Sequence, residues 1–133
     1  MDKTYCGKAS DFIVGDPTLP TIFKDAFADL NHDLSFTEIC RLDSLALTDE
    51  NREAVRMAVE DSSEDHFIVT HGTDTMWRTA HHVEATAKRL KKRVVFCGAM
   101  MPTSFGNTDA KFNVGFATAI LQTKEPGCHV VMG

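Results

Sequence analysis

The sequence has no apolar run that approaches the ~20 residues of a membrane-spanning helix. Its opening segment is polar, unlike the apolar core of a secretory signal peptide. Basic residues are not in excess, because 14 lysines and arginines stand against 19 aspartates and glutamates, a net charge of −5. Nucleic-acid-binding surfaces are usually basic. We therefore expect no membrane and no nucleic acid as a partner, which leaves small molecules and proteins.

Common motifs for metal, disulfide and nucleotide binding are missing as well. The sequence contains no C-x-x-C pair, no P-loop and no G-x-G-x-x-G loop. His81 and His82 are adjacent, so they would point in different directions from a helix and are a poor metal-binding pair. We expect no zinc site and no disulfide framework, which favours a reducing compartment such as the cytoplasm. The cysteines are scattered: Cys6, Cys40, Cys97 and Cys128.

The residues that are present have the composition of an ordinary globular domain, with 43% hydrophobic and 25% charged residues. A length of 133 residues fits one domain, over residues 1–133. A chain of this size buries roughly two-thirds of its unfolded surface, so it needs neither a disulfide nor a metal to fold.

The second half of the chain alternates strand and helix patterns. Short apolar runs predict strands buried on both faces at Phe67–Val69, Val94–Cys97 and Val130–Met132. Apolar residues at helical spacing predict helices between them, over Met76–Leu90 and Asp109–Gln122. Helix caps are available just before the second of these helices, at residues 107–109.

The first half has a similar but weaker pattern. It predicts a helix that Pro20 helps to start, a strand at Phe36–Leu42, and a helix capped by Thr48 or Asp49. Strands separated by helices in such short connections are parallel. We therefore predict a three-layer α/β/α fold with a mainly parallel, Rossmann-like or flavodoxin-like sheet. The inward-facing residues of the two helices are expected to be Phe23, Ala26, Phe27 and Leu30, then Ala54, Val55, Ala58 and Val59.

Ligands of open parallel sheets bind beyond the carboxyl ends of the strands. Two loops occupy that place, Thr70–Thr75 and Gly98–Pro102. Gly72 permits a tight turn, and Thr73 and Asp74 follow it at the start of a helix, where free N–H groups favour anions. A hydroxyl beside a carboxylate there suits an amino-acid-like ligand or the activation of a nucleophile.

Simpler interpretations of the same residues stay open. Thr73 and Asp74 are common helix caps, and plain capping accounts for their position. His71 is either a base or ligand, or a loop histidine that is merely solvated or hydrogen-bonded. Met100 and Met101 are most simply packing or loop residues.

The segments around these loops resemble the L-asparaginase family of the threonine-amidohydrolase type, above all short proteins that carry its N-terminal domain. The run Ile68–Met76 is similar to the family's second signature, and its T-H-G-T-D-T is highly specific. The resemblance extends over nearly the whole chain in family order. The remaining similar segments are Ser10–Gly15 (the flexible loop), Asp43–Asp49 (the substrate-carboxylate segment), Val95–Pro102 ("V-x-x-G-A-M-x-P") and Phe112–Asn113 ("F-N").

The resemblance implies roles for three residues. Thr73 corresponds to the second catalytic threonine, Asp74 to the neighbour that binds the substrate's amino group, and Ser44 to the residue that holds the substrate's carboxylate. The implied reaction is hydrolysis of the side-chain amide of L-asparagine, with release of ammonia through an acyl-enzyme. No metal or organic cofactor is implied, because the family polarises the carbonyl with hydrogen-bond donors. The family also assembles as dimers or tetramers, so a homo-oligomer is expected.

Three differences from the family accompany the resemblance. The nucleophilic threonine, in T-G-G-T-I at the end of the family's first strand, would fall just before Met1, so that strand is expected to be missing. A loop tyrosine that assists the nucleophile corresponds to Phe12. The catalytic lysine would fall beyond Gly133. We thus expect a domain incomplete at both ends, in which the neighbouring strands close up or another chain supplies the strand.

Two functions are compatible with these observations. The first is an asparaginase-type amidohydrolase domain, a partial or incomplete enzyme as written. The alternative is a non-catalytic domain that binds a small molecule or a protein and keeps the α/β scaffold with the Thr73 and Asp74 pocket.

Overall fold

The computed structural model describes residues 1–26 and 33–133. Short 3-10 turns lie at Ser44–Ala46 and Thr103–Phe105. The regular elements are the strands β1 (Lys3–Cys6), β2 (Asp11–Val14), β3 (His66–Thr70), β4 (Arg93–Cys97) and β5 (Gly127–Val131), and the helices α1 (Leu19–Ala26), α2 (Asp49–Asp61), α3 (Met76–Arg89) and α4 (Ala110–Thr123).

A parallel sheet forms the middle layer, with the strand order β3-β4-β5. One face packs against α1 and α4, through a core cluster that includes Val95, Val114 and Phe23. The other face packs against α2 and α3, through a cluster that includes Phe96 and Val83. The predicted three-layer α/β/α fold with a parallel sheet is therefore confirmed. Within the described part of the chain, no helix is both long and apolar enough to cross a membrane.

Most of the elements predicted in the second half are confirmed with small shifts. β3 and β4 each extend the predicted strand by one or two residues, and α3 and α4 agree within one or two residues. β5 begins at Gly127, earlier than predicted, and leaves Met132 outside the strand. This shift arises because Gly127, Cys128 and His129 continue the parallel register with β4.

The strand predicted at Phe36–Leu42 is wrong, since residues 33–43 contain no regular secondary structure. Arg41 pairs instead with Glu38, with 2.9 Å between Nε and Oε1. Its Nη1 lies 2.7 Å from the Asp16 Oδ1. Residues three apart in a strand point to opposite faces, so a Glu38–Arg41 pair is not a contact that a regular strand favours.

Three further expectations for the first half need correction. Ala54 is exposed rather than inward-facing, because the buried face of α2 carries Arg52 and Val59. The segment Asp11–Val14, part of the expected flexible loop, is a strand that pairs with β1 in an antiparallel hairpin. Helix α1 begins at Leu19 with Pro20 in its first turn, as predicted. Ala26, predicted to face inward, is exposed, because the buried face of α1 carries Ile22 and Phe23. The predicted inward residues Phe27 and Leu30 lie outside the described residues.

The N-cap of α2 is Thr48, one of the two caps that the sequence predicts, and the structure shows that it forms a capping box. The Thr48 hydroxyl accepts from the Asn51 N–H, and the Asn51 side chain accepts from the Thr48 N–H at 3.0 Å. Thr48→Ala is expected to cost about 1 kcal/mol of unfolding free energy and to lower the melting temperature by roughly 3–5 °C. Thermal melting followed by circular dichroism measures this. The control is the exposed Ser63→Ala, and equal melting temperatures for the two variants would contradict the capping role.

Candidate functional site

The turn that follows β3 meets the 3-10 turn at Ser44–Ala46. The Ser44 hydroxyl lies 3.3 Å from a carboxylate oxygen of Asp74. The Thr75 hydroxyl donates to the Ser44 backbone carbonyl at 2.6 Å. Ser44 is buried, Thr73 is half-buried and Asp74 is exposed. The structure therefore brings together the three residues singled out from the sequence, with Ser44 contributed by a segment about 30 residues away from the other two.

Gly72 makes this approach possible. A Cβ added at Gly72 would lie 2.6 Å from the Ser44 Cβ and 2.7 Å from its hydroxyl oxygen. Any other residue would force the two turns apart. The G in T-H-G-T-D-T is thus required by close packing against Ser44, rather than by an unusual backbone angle.

The interpretation of Thr73 and Asp74 as plain helix caps is wrong. The N-cap of α3 is Thr75, whose side chain makes no capping hydrogen bond and binds Ser44 instead. The Asp74 carboxylate faces the Ser44 hydroxyl. The Thr73 hydroxyl has no hydrogen-bond partner among the described residues. Neither side chain caps α3: the Asp74 carboxylate contacts Ser44, and the Thr73 hydroxyl is unpaired among the described residues.

His71 is held as a structural link rather than as a base. Its Nδ1 lies 2.7 Å from the Gly72 carbonyl oxygen and its Nε2 lies 2.8 Å from the Thr79 hydroxyl. The first contact requires Nδ1 to carry the proton, which leaves Nε2 to accept from Thr79. Burial, with a smaller effect of nearby Arg52, lowers the pKa of His71 below its usual value. The neutral ring thus connects the turn to α3, so the hydrogen-bonded alternative fits the structure.

This buried histidine makes stability depend on pH in one direction. The folded state disfavours the charged ring, so the unfolded chain binds the extra proton more readily. Stability contributed by neutral His71 is complete above the unfolded pKa of about 6.5 and declines as the pH falls towards the lower folded pKa. Urea unfolding between pH 7.5 and pH 5 is expected to show a smaller loss of stability in His71→Gln than in the parent chain. An equal or larger loss in His71→Gln would contradict this.

Lys3 reaches the site from β1 and was not predicted from the sequence. Its Nζ lies 2.6 Å from the Asp43 carboxylate, the residue that caps the 3-10 turn of Ser44. The Asp43 hydrogen bond, helped by the more distant charge of Asp74, raises the pKa of Lys3. The same contact lowers the pKa of Asp43. Only the unpredicted β1–β2 hairpin brings this ammonium here, so no local sequence signal indicated it.

The second predicted loop, Gly98–Pro102, is held by α4. The Asp109 carboxylate accepts from the backbone N–H groups of Met100 and Met101, both at 3.0 Å. The buried Asn113 side chain donates to the Gly98 carbonyl at 3.0 Å. Both methionine side chains are exposed, which makes them loop residues rather than core packing. Asp109 occupies the N-cap position of α4, but its carboxylate makes no capping hydrogen bond and binds this loop instead.

The site offers a carboxylate, two hydroxyls and a helix N-terminus in one place. Such a set suits a zwitterionic ligand, because Asp74 can attract an ammonium group while hydroxyl and N–H donors face a carboxylate or a carbonyl oxygen. Among residues 1–26 and 33–133, no three histidine, cysteine or acidic side chains are grouped so as to hold a metal ion.

Comparison with known proteins gives a consistent result. A family model described as "Asparaginase, N-terminal" matches residues 11–133. The chain is 40% identical over 63 residues to a probable periplasmic L-asparaginase of Haemophilus influenzae, covering 47% of this chain and 18% of that one. It is 46% identical over 50 residues to L-asparaginase 2 of Escherichia coli, covering 38% and 14%.

A longer match and a solved structure extend this similarity. An L-asparaginase of Thermococcus kodakarensis is 28% identical over 95 residues, which is 70% of this chain and 29% of that protein. The crystal structure of a probable cytoplasmic L-asparaginase of Campylobacter jejuni superposes with a TM-score of 0.77 and 27% identity, covering 100% of this chain and 41% of that chain. The chain thus matches less than a third of each of these curated relatives.

Proposed function

Because this chain belongs to the asparaginase family through its N-terminal domain, we propose that it is an asparaginase-type amidohydrolase domain. It binds L-asparagine, or a related amino acid with a side-chain amide, and releases the corresponding acid and ammonia. The observation that carries the proposal is the junction of Ser44, Thr73 and Asp74, in which the Ser44 hydroxyl lies 3.3 Å from the Asp74 carboxylate.

We assign the three residues distinct roles. Asp74 binds the substrate's ammonium group, since it is exposed and carries a negative charge at the mouth of the site. Ser44 holds the substrate's carboxylate with its hydroxyl, with the Lys3 ammonium nearby on Asp43. Thr73 acts on the side-chain amide, because the residue is half-buried and its hydroxyl has no hydrogen-bond partner among the described residues. Hydrogen-bond donors rather than a cofactor polarise the amide carbonyl.

One observation favours the alternative function, a domain that binds the amino acid without hydrolysing it. Acyl transfer to a hydroxyl needs a base that takes its proton. Within the described residues, no base lies within hydrogen-bond distance of the Thr73 hydroxyl. Lys3, the ammonium beside the site, is paired with Asp43. Binding of the amino acid needs no such base, so the described residues are sufficient for binding but lack a group that catalysis needs.

An ammonia-release assay separates the two functions. The purified chain is incubated with asparagine or glutamine, and aspartate binding is measured by calorimetry. The enzyme function predicts ammonia release that Thr73→Ala reduces at least 100-fold, with Thr123→Ala on the exposed end of α4 as the control. Aspartate binding without ammonia release would establish the binding function. Neither binding nor release, in a chain that melts cooperatively, would overturn both.

We also propose a cytoplasmic location and a homo-oligomer. All four cysteines are unpaired, which suits a reducing compartment. The solved relative is named as cytoplasmic, whereas one curated relative is named as periplasmic. Cell fractionation tests the location, and light scattering on the purified chain tests the oligomer.

A further inference from the structure

The Thr73 methyl group packs against the loop of residues 98–102. A Cβ added at Gly98 would lie 3.1 Å from the Thr73 methyl carbon and 2.8 Å from the His71 carbonyl oxygen. The backbone of Gly98 therefore lies directly against the turn that carries Thr73. Gly98 is buried and Thr73 is half-buried, so this contact is largely shielded from solvent.

A fixed methyl group in a threonine also fixes the hydroxyl. Both groups are attached to the same Cβ atom, so one rotation about the Cα–Cβ bond moves them together. The bond adopts a small set of staggered rotamers, and each places the methyl group differently. The Thr73 hydroxyl has no hydrogen-bond partner among the described residues, so no hydrogen bond sets its direction there. Packing of the methyl group against Gly98 is the contact that can set it.

The path of this loop is determined by Asp109. One of its carboxylate oxygens accepts from the Met100 N–H and the other from the Met101 N–H, both at 3.0 Å. Hydrogen bonds to a charged acceptor are stronger than those between neutral groups. Two consecutive N–H groups that converge on one carboxylate fix the direction of the backbone just after Gly98. The loop is thus held against the turn from the side of α4.

Asp109 is itself held in place. The buried Asn113 amide donates to its carboxylate at 2.9 Å and to the Gly98 carbonyl at 3.0 Å. Burial by itself would raise the pKa of Asp109, but the hydrogen bonds from the loop N–H groups and from Asn113 lower it below its usual value. The carboxylate is therefore charged at neutral pH and accepts with both oxygens.

We propose that Asp109 is a positioning residue of the candidate site, which holds Gly98 against the Thr73 methyl group and thereby orients the Thr73 hydroxyl. The effect on the reaction rests on the proposed function, in which this hydroxyl acts on the side-chain amide. A hydroxyl held in one direction is already in place for attack and loses less entropy in the reaction. Threonine suits position 73 better than serine for the same reason, because serine has no methyl group for Gly98 to hold.

The rotamer of Thr73 tests the proposal in the free chain. Three-bond NMR couplings from its methyl carbon to the backbone nitrogen and carbonyl carbon report the angle about the Cα–Cβ bond. Asp109→Asn keeps the size of the side chain but replaces one acceptor oxygen by an NH2 group. We expect the couplings of a single rotamer in the parent chain and averaged couplings in Asp109→Asn. Averaged couplings in the parent chain, or a single rotamer in Asp109→Asn, would overturn the proposal.

Lys92→Met is the control for a general loss of stability. Lys92 is buried, and its ammonium donates to the Val59 carbonyl at 2.7 Å and to the Ser62 carbonyl at 2.5 Å. It precedes β4 and so lies at the opposite end of that strand from the loop of residues 98–102. We expect Lys92→Met to lower the melting temperature and to leave the Thr73 couplings unchanged. Averaged couplings in this variant would contradict a specific role of Asp109.

A second variant loosens the same loop from another residue. The Thr108 hydroxyl donates to the Met101 carbonyl at 2.6 Å, and Thr108→Val removes this bond while keeping the size of the side chain. We expect averaged Thr73 couplings here as well, to a smaller extent than in Asp109→Asn. If Asp109→Asn does not melt cooperatively, Thr108→Val decides the question, and a single Thr73 rotamer in it would overturn the proposal.

A double-mutant cycle connects the rotamer to the reaction. Thr73→Ser keeps the hydroxyl and removes the methyl group that Gly98 holds. In a chain that releases ammonia, we expect Asp109→Asn to lower kcat at least tenfold and to change KM less than twofold, because the hydroxyl acts on the amide and not on the α-groups. In the Thr73→Ser background the same change should lower kcat less than threefold. Equal losses in both backgrounds would overturn the proposal. If no ammonia is released, the enzyme function fails, and the Thr73 couplings still decide the role of Asp109.

Discussion

Gly72→Ala is expected to separate the two turns of the candidate site. The new Cβ would lie 2.6 Å from the Ser44 Cβ, which is closer than real side chains approach. The overpacking, together with the loss of the hydrogen bond from Thr75 to the Ser44 carbonyl, should cost about 2–4 kcal/mol of unfolding free energy. Aspartate binding should weaken more than tenfold, because Ser44 and Asp74 no longer face each other. Urea unfolding and calorimetry measure the two effects.

A second substitution identifies the cause of this loss. Ser44→Gly removes the atoms that the methyl group introduced at position 72 would meet, so the double variant Gly72→Ala/Ser44→Gly should recover most of the lost stability, although not the binding. Gly7→Ala is the matched control, since no atom lies within 4 Å of its added Cβ. If the losses of unfolding free energy in the two single variants simply add in the double variant, the close-packing explanation is wrong.

Asn113→Ala is expected to be the most destabilising change at the other loop. This fully buried side chain donates to the Gly98 carbonyl at 3.0 Å and to the Asp109 carboxylate at 2.9 Å, and it accepts from the Gly133 N–H at 2.9 Å. Its removal leaves buried polar groups without partners. The expected cost is roughly 3 kcal/mol, or a fall of roughly 10 °C in the melting temperature.

A near-isosteric variant separates hydrogen bonding from packing. Asn113→Asp keeps the shape but replaces the amide donor by an oxygen that faces the Gly98 carbonyl and the Asp109 carboxylate. It should be at least as destabilising as Asn113→Ala at pH 7. Asn107→Ala, on the exposed loop before α4, should change stability by less than about 0.5 kcal/mol. If Asn113→Asp melts like the parent chain, the hydrogen bonds are not the cause.

The parts of the fold that the sequence predicted have strong local patterns. Phe67–Val69 and Val94–Cys97 are continuous apolar runs, and the helices between and after them carry clear apolar stripes with caps or helix-ending residues nearby. These signals need no knowledge of distant contacts. The Thr70–Thr75 loop was likewise indicated by its place after a strand and by the highly specific T-H-G-T-D-T run. The roles of Thr73, Asp74 and Ser44 stay predictions that the experiments above test.

What the sequence did not reveal depends on contacts between distant segments. The β1–β2 hairpin has strands of only four residues each, and Lys3 reaches Asp43 across 40 residues of chain. The apolar residues of 36–42 suggested a strand, but this segment pairs with no other strand among the described residues, and local β propensity alone does not form one. Plain capping at Thr73 and Asp74 failed for a similar reason, since the turn is organised by Ser44 from another segment.

The order of the strands in space has a consequence for synthesis of the chain. β3, β4 and β5 are neighbours in the sheet in the same order in which they leave the ribosome, and each is joined to the next by a single crossover helix. Each new strand can therefore dock on the exposed side of the one made just before it. Among these three strands none has to insert between two that are already paired, so they can assemble during translation from contacts that are close along the chain.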